Sequence, residues 1–203
     1  MRARDLMTAP VTTVRPWTSA KEAAELLSVH GFTALPVVDD DGGLIGIVTE
    51  ADLIRGRIPA DPRQAHRRHD AAVAGETVGD VMTSPATAMS SGTDIADLCQ
   101  ALVDARIRAM PIVDGSAVVG IVTRGDVVRT LAREDTDIAR DVKHRLEIYG
   151  GGGRWKIDVR DGHVHITDLY DDDTDRHVAR LLALAVPGVV AADTVYAGEE
   201  QQR

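Results

Sequence analysis

The sequence predicts an α+β fold with two β-α-β-β-α repeats packed as a pseudo-symmetric pair, followed by a small α-β-β-α-β domain. Two observations predict it. The heptapeptide GIVTEAD at 46–52 recurs as GIVTRGD at 120–126, each time followed by an apolar pair. Beyond Glu134 the repeat stops and strand-like alternation begins. Two segments of a chain rarely keep the same spacing of matching residues over a whole unit by chance, so the internal repeat decides the fold class.

The repeat extends well beyond the heptapeptide. DLMT at 5–8 returns as DVMT at 80–83, and ALPVVD at 34–39 returns as AMPIVD at 109–114. The offset is 75 residues, and it drops to 74 at the heptapeptide because the turn at 40–43 is one residue longer than its partner. We therefore expect one repeat with its basic linker over 1–70 and a second over 71–134.

The first repeat is predicted to begin with a β-branched strand at 11–14. Ser19 with Glu22 forms a capping box that starts a helix, and Gly31 ends it. A hairpin joins strands at 32–39 and 44–48 through an Asp/Gly turn, and the next helix runs from after Thr49 to about residue 58. Pro36 cannot donate a ladder hydrogen bond, so it should face an edge or an irregular crossing.

The second repeat should run from about Thr77, with a helix capped by Asp94. Its apolar stripe is predicted to comprise Ile95, Leu98, Cys99, Leu102 and Val103. A cysteine on such a stripe is more readily a buried, inert thiol than a nucleophile. The segment 63–70 between the repeats is the strongly basic one in an acidic chain. We expect a solvated linker there, and a phosphate-facing patch is the alternative.

The C-terminal third is predicted to form a domain over 135–197 with a flexible tail at 198–203. Ile138, Val142, Leu146 and Tyr149 mark one helix face, and glycines follow at 150–153. Alternation over 155–160 and 163–167 around Asp-Gly predicts a hairpin. A helix over 174–186 should bury Val178, Leu181, Leu182 and Ala185, and a last strand should span 189–196.

Bulk composition excludes several classes of function. The net charge of −9 disfavours binding to nucleic acid or anionic membrane. A single cysteine fits a reducing compartment, and neither a signal peptide nor an apolar run of about 20 residues is visible. We therefore expect a cytoplasmic location. His163 and His165 share a strand face but lack a third ligand, so no metal is expected.

The heptapeptide places a hydroxyl and a carboxylate where a buried strand turns into a helix. Thr49 is a favourable N-cap, and Asp52 follows in the first helical turn, where the helix dipole favours an acid. Helix N-termini bind anions, and ligands collect at the carboxyl ends of strands. The alternative is that both residues, and their copies Thr123 and Asp126, only cap helices.

The Asp-x-Met-Thr opening, the Leu-Pro-Val-Val-Asp strand and the Gly-x-x-Thr-x-x-Asp segment together resemble the CBS domain, which occurs in tandem pairs. The resemblance implies adenine-nucleotide pockets between the repeats, with Asp at the ribose and Thr at the ribose or phosphate. The first implied site comprises Thr8, Thr13, Phe32, Thr33, Thr123 and Asp126. The second comprises Thr49, Asp52, Thr83, Ile107 and Arg108. Arg108 could contact phosphate or simply fill its pocket.

The C-terminal third resembles the BON domain through its strand ending in Asp-Gly, the following Val-x-Ile and Val-Pro-Gly-Val before the last strand. It departs from that family at Asp168-Leu169-Tyr170, where a glycine usually follows the second strand. Residues 135–203 carry fourteen acids and nine bases, a net charge of −5, which argues for contact with protein rather than lipid. The outward alternation of Trp155, Ile157 and Val159 is the predicted contact surface, and the glycines at 150–153 would let the hairpin reposition.

Together these features predict a regulatory protein that senses AMP, ADP or ATP, acts as a homodimer and signals to a protein partner. The alternative is a structural or interaction module that binds no ligand. An enzyme is a third and weaker interpretation, because no segment supplies a nucleophile, a base and a substrate pocket together.

Overall fold

The structure, a computed structural model, describes residues 1–58 and 75–200 of the chain. Two compact units are present. One comprises Met7–Thr123, and the other comprises Met1–Leu6 with Arg124–Arg203. The predicted basic linker at 63–70 lies outside the described residues. Because the packing divides at Thr123, the domain limits drawn from the sequence stay predictions.

The unit Met7–Thr123 holds most of both repeats. Its helices are α1 (Ala20–His30), α2 (Glu50–Ile54), α3 (Val78–Val81) and α4 (Ile95–Asp104). Its strands are β1 (Ala34–Val38), β2 (Leu44–Thr49), β3 (Met89–Ser90), β4 (Ala109–Asp114) and β5 (Ala117–Thr123). Strands β1 and β2 pair antiparallel. The second sheet has the order β3-β4-β5, with β3 parallel and β5 antiparallel to β4.

Helix α1 has the predicted ends. The Ser19 hydroxyl accepts a hydrogen bond from the backbone N–H of Glu22, and Gly31 closes the helix in the left-handed region at φ +66°. Helix α2 is shorter than predicted, because Gly56 adopts φ +71° soon after Ile54 and ends the helix before residue 58.

The predicted strand at 11–14 is reduced to one bridge. Val14 pairs in parallel with Val37, donating to the carbonyl of Pro36 and accepting from the N–H of Val38. Extending that ladder upstream would require a donor at residue 36, which proline lacks. A proline limits the first strand of the second repeat in the same way. Strand β3 has two residues and pairs with β4 at the two positions that follow Pro111. The expectation for Pro36 is thus met.

The two repeats are joined by reciprocal strand pairing. Thr8 and Ile121 exchange backbone hydrogen bonds of 2.9 and 3.2 Å, and Thr83 and Ile47 exchange bonds of 2.9 and 3.0 Å. Each repeat's opening segment therefore pairs with the last strand of the other repeat. The residues Val11, Ala34, Ile47, Ala109 and Ile121 form a small apolar cluster where the repeats meet.

Glycine is needed on both last strands, because a methionine approaches each. A Cβ at Gly46 would lie 2.7 Å from Met82 Sδ and 3.0 Å from the carbonyl oxygen of Thr83. A Cβ at Gly120 would lie 2.5 Å from Met7 Sδ. The heptapeptide thus begins with glycine so that the opening segments can approach.

The core prediction for α4 is partly wrong. Leu98 and Leu102 are fully buried, but Val103 is exposed and Cys99 is half-buried at the edge of the stripe. Burial still raises the pKa of the Cys99 thiol, which keeps it protonated and unreactive.

The second unit contains the predicted helix, hairpin, helix and strand in that order. Its elements are α5 (Arg124–Leu131), α6 (Asp135–Gly150), β6 (Trp155–Arg160), β7 (His163–Asp168), α7 (Asp173–Leu184), β8 (Ala191–Tyr196) and α8 (Ala197–Glu200). Strand β7 is central, antiparallel to β6 and parallel to β8. Asp161 and Gly162 form the predicted turn, with φ of +51° and +73°.

Four local predictions for this unit are corrected. Trp155 is buried, and Ile157 and Val159 pack against the same core, so this side of β6 is not a contact surface. Helix α7 buries Arg176, Ala179 and Ala183 and leaves Leu181 exposed. The small side chains of Ala179 and Ala183 let this helix lie close to the sheet. The prediction instead placed larger apolar residues on the buried face. Tyr149 is also exposed, and residues 198–200 of the predicted tail are helical.

The break after α6 is one residue shorter than predicted, because it comprises residues 151–153, where an added Cβ would meet nothing within 4 Å. Gly150 is still helical, and a Cβ there would lie 2.8 Å from Trp155 Nε1. The start of the hairpin is therefore packed tightly against the end of α6.

Candidate functional site

A cavity of about 400 Å³ lies between the two repeats within the unit Met7–Thr123. Four chain segments form its wall: the residue before β1, the β2–α2 junction, the opening of the second repeat and the residues before and at the start of β4. The lining residues are Thr33, Ile47, Thr49, Glu50, Ala51, Thr83, Pro85, Thr87, Arg106, Ile107, Arg108 and Ala109. Four residues of the predicted second site, Thr49, Thr83, Ile107 and Arg108, are therefore together.

Asp52, the fifth residue of that site, is half-buried behind Thr49 and does not line the cavity. Its Oδ2 accepts hydrogen bonds from the Thr49 N–H at 3.0 Å and from the Thr49 hydroxyl at 2.7 Å. In return, the Thr49 hydroxyl accepts from the Asp52 N–H at 3.4 Å. This is a capping box, as the capping alternative requires. Because α2 has only five residues, its dipole is too small to make this junction an anion-binding site by itself.

The cavity carries a second arginine that the sequence analysis did not single out. Arg106 adopts φ +54°, which costs a side chain with a Cβ roughly 1–2 kcal/mol. The residue 75 positions earlier is Gly31, which adopts nearly the same φ of +66°. Arg106 could have been recognised in the sequence, because it occupies the position where the first repeat has the glycine that ends α1.

Thr33 lines this cavity, although the family resemblance assigns it to the first site. Its Oγ1 is buried and has no hydrogen-bond partner among the described residues. An orphaned buried hydroxyl is costly, so a bound polar group would stabilise it.

The residues of the predicted first site are divided between the two units, and their assembly stays a prediction. Thr8 pairs with β5, and Phe32 stacks on His30 at 5.0 Å between ring centroids. Thr13 is exposed, and Thr123 ends β5. Asp126 belongs to the second unit, where it is buried and forms an ion pair with Arg129 on the same helix.

The second unit has a buried polar network beside its core. Arg154 Nε and Nη2 donate to the two oxygens of Asp168 at 2.8 and 2.7 Å, and Nη1 donates to Asp175 at 2.5 Å. Tyr149 also donates to Asp175 at 2.7 Å, so these two donors, Tyr149 first, lower the pKa of the Asp175 carboxyl. The guanidinium lies 4.3 Å from the centroid of the Trp155 ring. Every charge in this network is paired, so we assign it a role in stability rather than in ligand binding.

Neither a metal centre nor a membrane span is found in the part of the chain that the structure describes. Over 1–58 and 75–200, no three His, Cys, Asp or Glu side chains are placed to share a metal ion. Nδ1 of His165 is within hydrogen-bond distance of a carboxylate oxygen of Asp193 on the neighbouring strand. The helices of those residues are too short or too polar to cross a bilayer.

The chain belongs to the CBS domain family, whose profile matches residues 3–58 and 78–133. These two matches cover both sequence repeats and more than half of the chain.

Three similar proteins extend this comparison. CBSX2, a chloroplastic CBS protein of Arabidopsis thaliana, is 33% identical over an alignment of 134 residues, with coverage of 57% of this chain and 56% of that protein. This chain thus spans about half of its length. The crystal structure of CBSX2 with AMP matches with a TM-score of 0.53 over 63% of this chain and 93% of that one.

The other two are solved CBS structures. The CBS domain pair of MJ0100, in complex with 5′-methylthioadenosine and S-adenosyl-L-methionine, is 27% identical, with a TM-score of 0.53 over 64% of this chain and 94% of that one. Hypoxic Response Protein I, with two coordinated zinc ions, is 26% identical, with a TM-score of 0.51 over 64% and 98%.

Proposed function

We propose that this chain is a regulatory protein that binds an adenine nucleotide in the cavity between its CBS repeats. One observation carries the proposal: the cavity gathers Thr49, Thr83, Ile107 and Arg108 from three separate segments. The complexes of CBSX2 with AMP and of the MJ0100 pair with two adenosine compounds support it.

The lining offers suitable chemistry for such a ligand. Ile47, Ile107 and Ala109 supply apolar surface for a base, whereas the Thr49 and Thr83 hydroxyls can exchange hydrogen bonds with a ribose or a phosphate. Asp52 does not line the cavity, but its Oδ1 has no hydrogen bond among the described residues, so a ribose hydroxyl that reached it would find an acceptor there.

We expect Asp52→Ala to separate the ribose role from capping. Loss of the cap alone should lower the free energy of unfolding by about 1 kcal/mol and leave nucleotide affinity unchanged. If the carboxylate also holds a ribose, the binding free energy should weaken by about 1.5–3 kcal/mol, which lowers the affinity roughly 10- to 150-fold. Calorimetric titration with AMP, ADP and ATP, beside urea unfolding, measures both quantities.

Asp126→Ala is the corresponding change in the second repeat, and it tests the predicted first site in the same way. The proposed function fails if none of the three nucleotides binds or raises the melting temperature of the unmodified chain. That result would favour the alternative, an assembly module with empty pockets.

We also propose that the chain forms a homodimer through the repeat helices. Several apolar side chains on the helices of the unit Met7–Thr123 are exposed to solvent: Val29, Ile54 and Val103. Light scattering at micromolar concentration should give about twice 21.7 kDa, and Ile54→Glu should shift the protein toward the monomer. A mass near 21.7 kDa for the unmodified chain would rule this assembly out.

We propose that the C-terminal α-β-β-α-β unit is BON-like and contacts a protein partner. The proposed contact surface comprises the exposed side chains of Ile148, Leu169 and Tyr170. It does not include β6, because Trp155 lies in the core. The net charge of −5 over 135–203 opposes binding to anionic lipid.

Liposome flotation tests that proposal. The full chain should stay with the unbound fraction when mixed with anionic liposomes at physiological salt. Co-flotation that high salt reverses would overturn the charge argument and favour a lipid-binding role.

A further inference from the structure

We infer that Arg106 and Arg108 make the cavity between the repeats selective for nucleotides with two or three phosphates. The inference rests on the proposed nucleotide binding and goes further, because it names the class of nucleotide and the residue that selects it. Both arginines line the cavity and are exposed, and neither has an ion-pair partner among residues 1–58 and 75–200.

The charge of the cavity is concentrated in one segment. Glu50 is the one acidic residue among those that line it, so the lining carries a formal charge of +1 within a chain of net charge −9. The corresponding segment of the first repeat, Gly31 to Ala34, contains no cation. The two repeats therefore present different charge to a ligand, although their backbones follow the same pattern.

The backbone at Arg106 shows that its side chain is not required by the fold. Gly31 performs the same local task, ending a helix in the left-handed region without a Cβ. Arg106 adopts this disfavoured conformation while contributing no ion pair within the described residues. Strained residues of this kind concentrate at ligand-binding positions.

A phosphate chain suits two guanidinium groups better than a single phosphate does. Arginine binds phosphate oxygens through paired, charge-assisted hydrogen bonds. One phosphate can satisfy one guanidinium in this way, whereas a diphosphate or triphosphate can engage both arginines. The expected order of affinity is therefore ATP above ADP, ADP above AMP, and AMP above adenosine.

The decisive variant is Arg106→Gly, which installs the residue that the first repeat has at this position. It should weaken ATP binding about tenfold and leave adenosine binding unchanged. The melting temperature without ligand should stay the same or rise, because the left-handed strain is relieved. Arg106→Lys should recover part of the ATP affinity, since it restores the charge without the planar fork.

Lys156→Ala is the matched control, because it removes one exposed positive charge from β6 in the other unit. It should leave the affinity for every ligand unchanged. Inorganic tripolyphosphate should compete with ATP on the unmodified chain and compete less on Arg106→Gly.

Two results would overturn the inference while leaving the proposed function intact. One is equal affinity for adenosine, AMP, ADP and ATP. The other is an ATP affinity that Arg106→Gly does not reduce, or reduces only as much as it reduces adenosine affinity. If adenosine and all three nucleotides fail to bind the unmodified chain, the proposed function fails and the inference fails with it.

Discussion

Replacing Arg154 with methionine is expected to lower the free energy of unfolding of the C-terminal unit by about 3 kcal/mol. The reason is the orphaned partner: Asp168 is fully buried, and Arg154 donates to both of its oxygens. Without the guanidinium, the buried carboxylate of Asp168 keeps one hydrogen bond among the described residues, from the backbone N–H of Tyr170 at 3.0 Å. Thermal and urea unfolding, monitored by tryptophan fluorescence, should show the loss in the transition that reports Trp155.

Two further variants make this expectation specific. The double variant Arg154→Met, Asp168→Asn should recover part of the stability, because the amide removes the unpaired charge. Arg140→Met should change stability by less than about 0.5 kcal/mol, since its ion pair with Asp137 is exposed on the surface of α6. Equal losses for Arg154→Met and Arg140→Met would show that burial of the network contributes nothing.

Changing Gly46 to valine should destabilise the paired repeats by about 3 kcal/mol and abolish binding in the cavity. The new Cβ would meet Met82 Sδ at 2.7 Å and the Thr83 carbonyl oxygen at 3.0 Å. Relief requires the Ile47–Thr83 pairing to open, and both of those residues line the cavity. Unfolding by urea and titration with ATP should therefore show coupled losses.

The other repeat provides the matched control for Gly46. All three of the nearest atoms around Gly120 belong to the Met7 side chain, whereas Gly46 also faces a backbone oxygen. Met7→Ala should therefore rescue Gly120→Ala, but Met82→Ala should only partly rescue Gly46→Ala. Full rescue in both repeats would contradict the steric account of the Thr83 carbonyl.

The sequence predicted the repeat architecture well because its signals are local and doubled. Ser19 and Gly31 end α1 by their own hydrogen bonding and φ preference, and the copied strands pair as expected. The first strand was predicted too long, at 11–14, because its limit is set by Pro36 on a different strand, through a donor that proline lacks. Non-local effects of this kind leave no periodicity to detect.

The candidate site was predicted in part for a similar reason. Thr49, Thr83, Ile107 and Arg108 could be named because a family pattern marks them, and the cavity brings them together. Arg106 was missed because it lies outside that family pattern. Its one signal in the sequence is that it occupies the position where the first repeat has Gly31, and its positive φ is visible in the structure alone. The buried face of α7 was misjudged because Arg176 is stabilised there by Asp171 and Asp173, which precede it in the chain.

The reciprocal pairing of Thr8 with Ile121 and of Thr83 with Ile47 has a consequence for the ancestry of the chain. An isolated repeat would leave its opening segment without a strand and its last strand without a partner. The unpaired opening segment of one copy would fit the unpaired last strand of a second copy. A single-repeat ancestor would therefore have assembled by exchanging opening segments, as in a domain swap. Fusion of two such repeats would make that exchange intramolecular, at an effective concentration set by the linker rather than by expression.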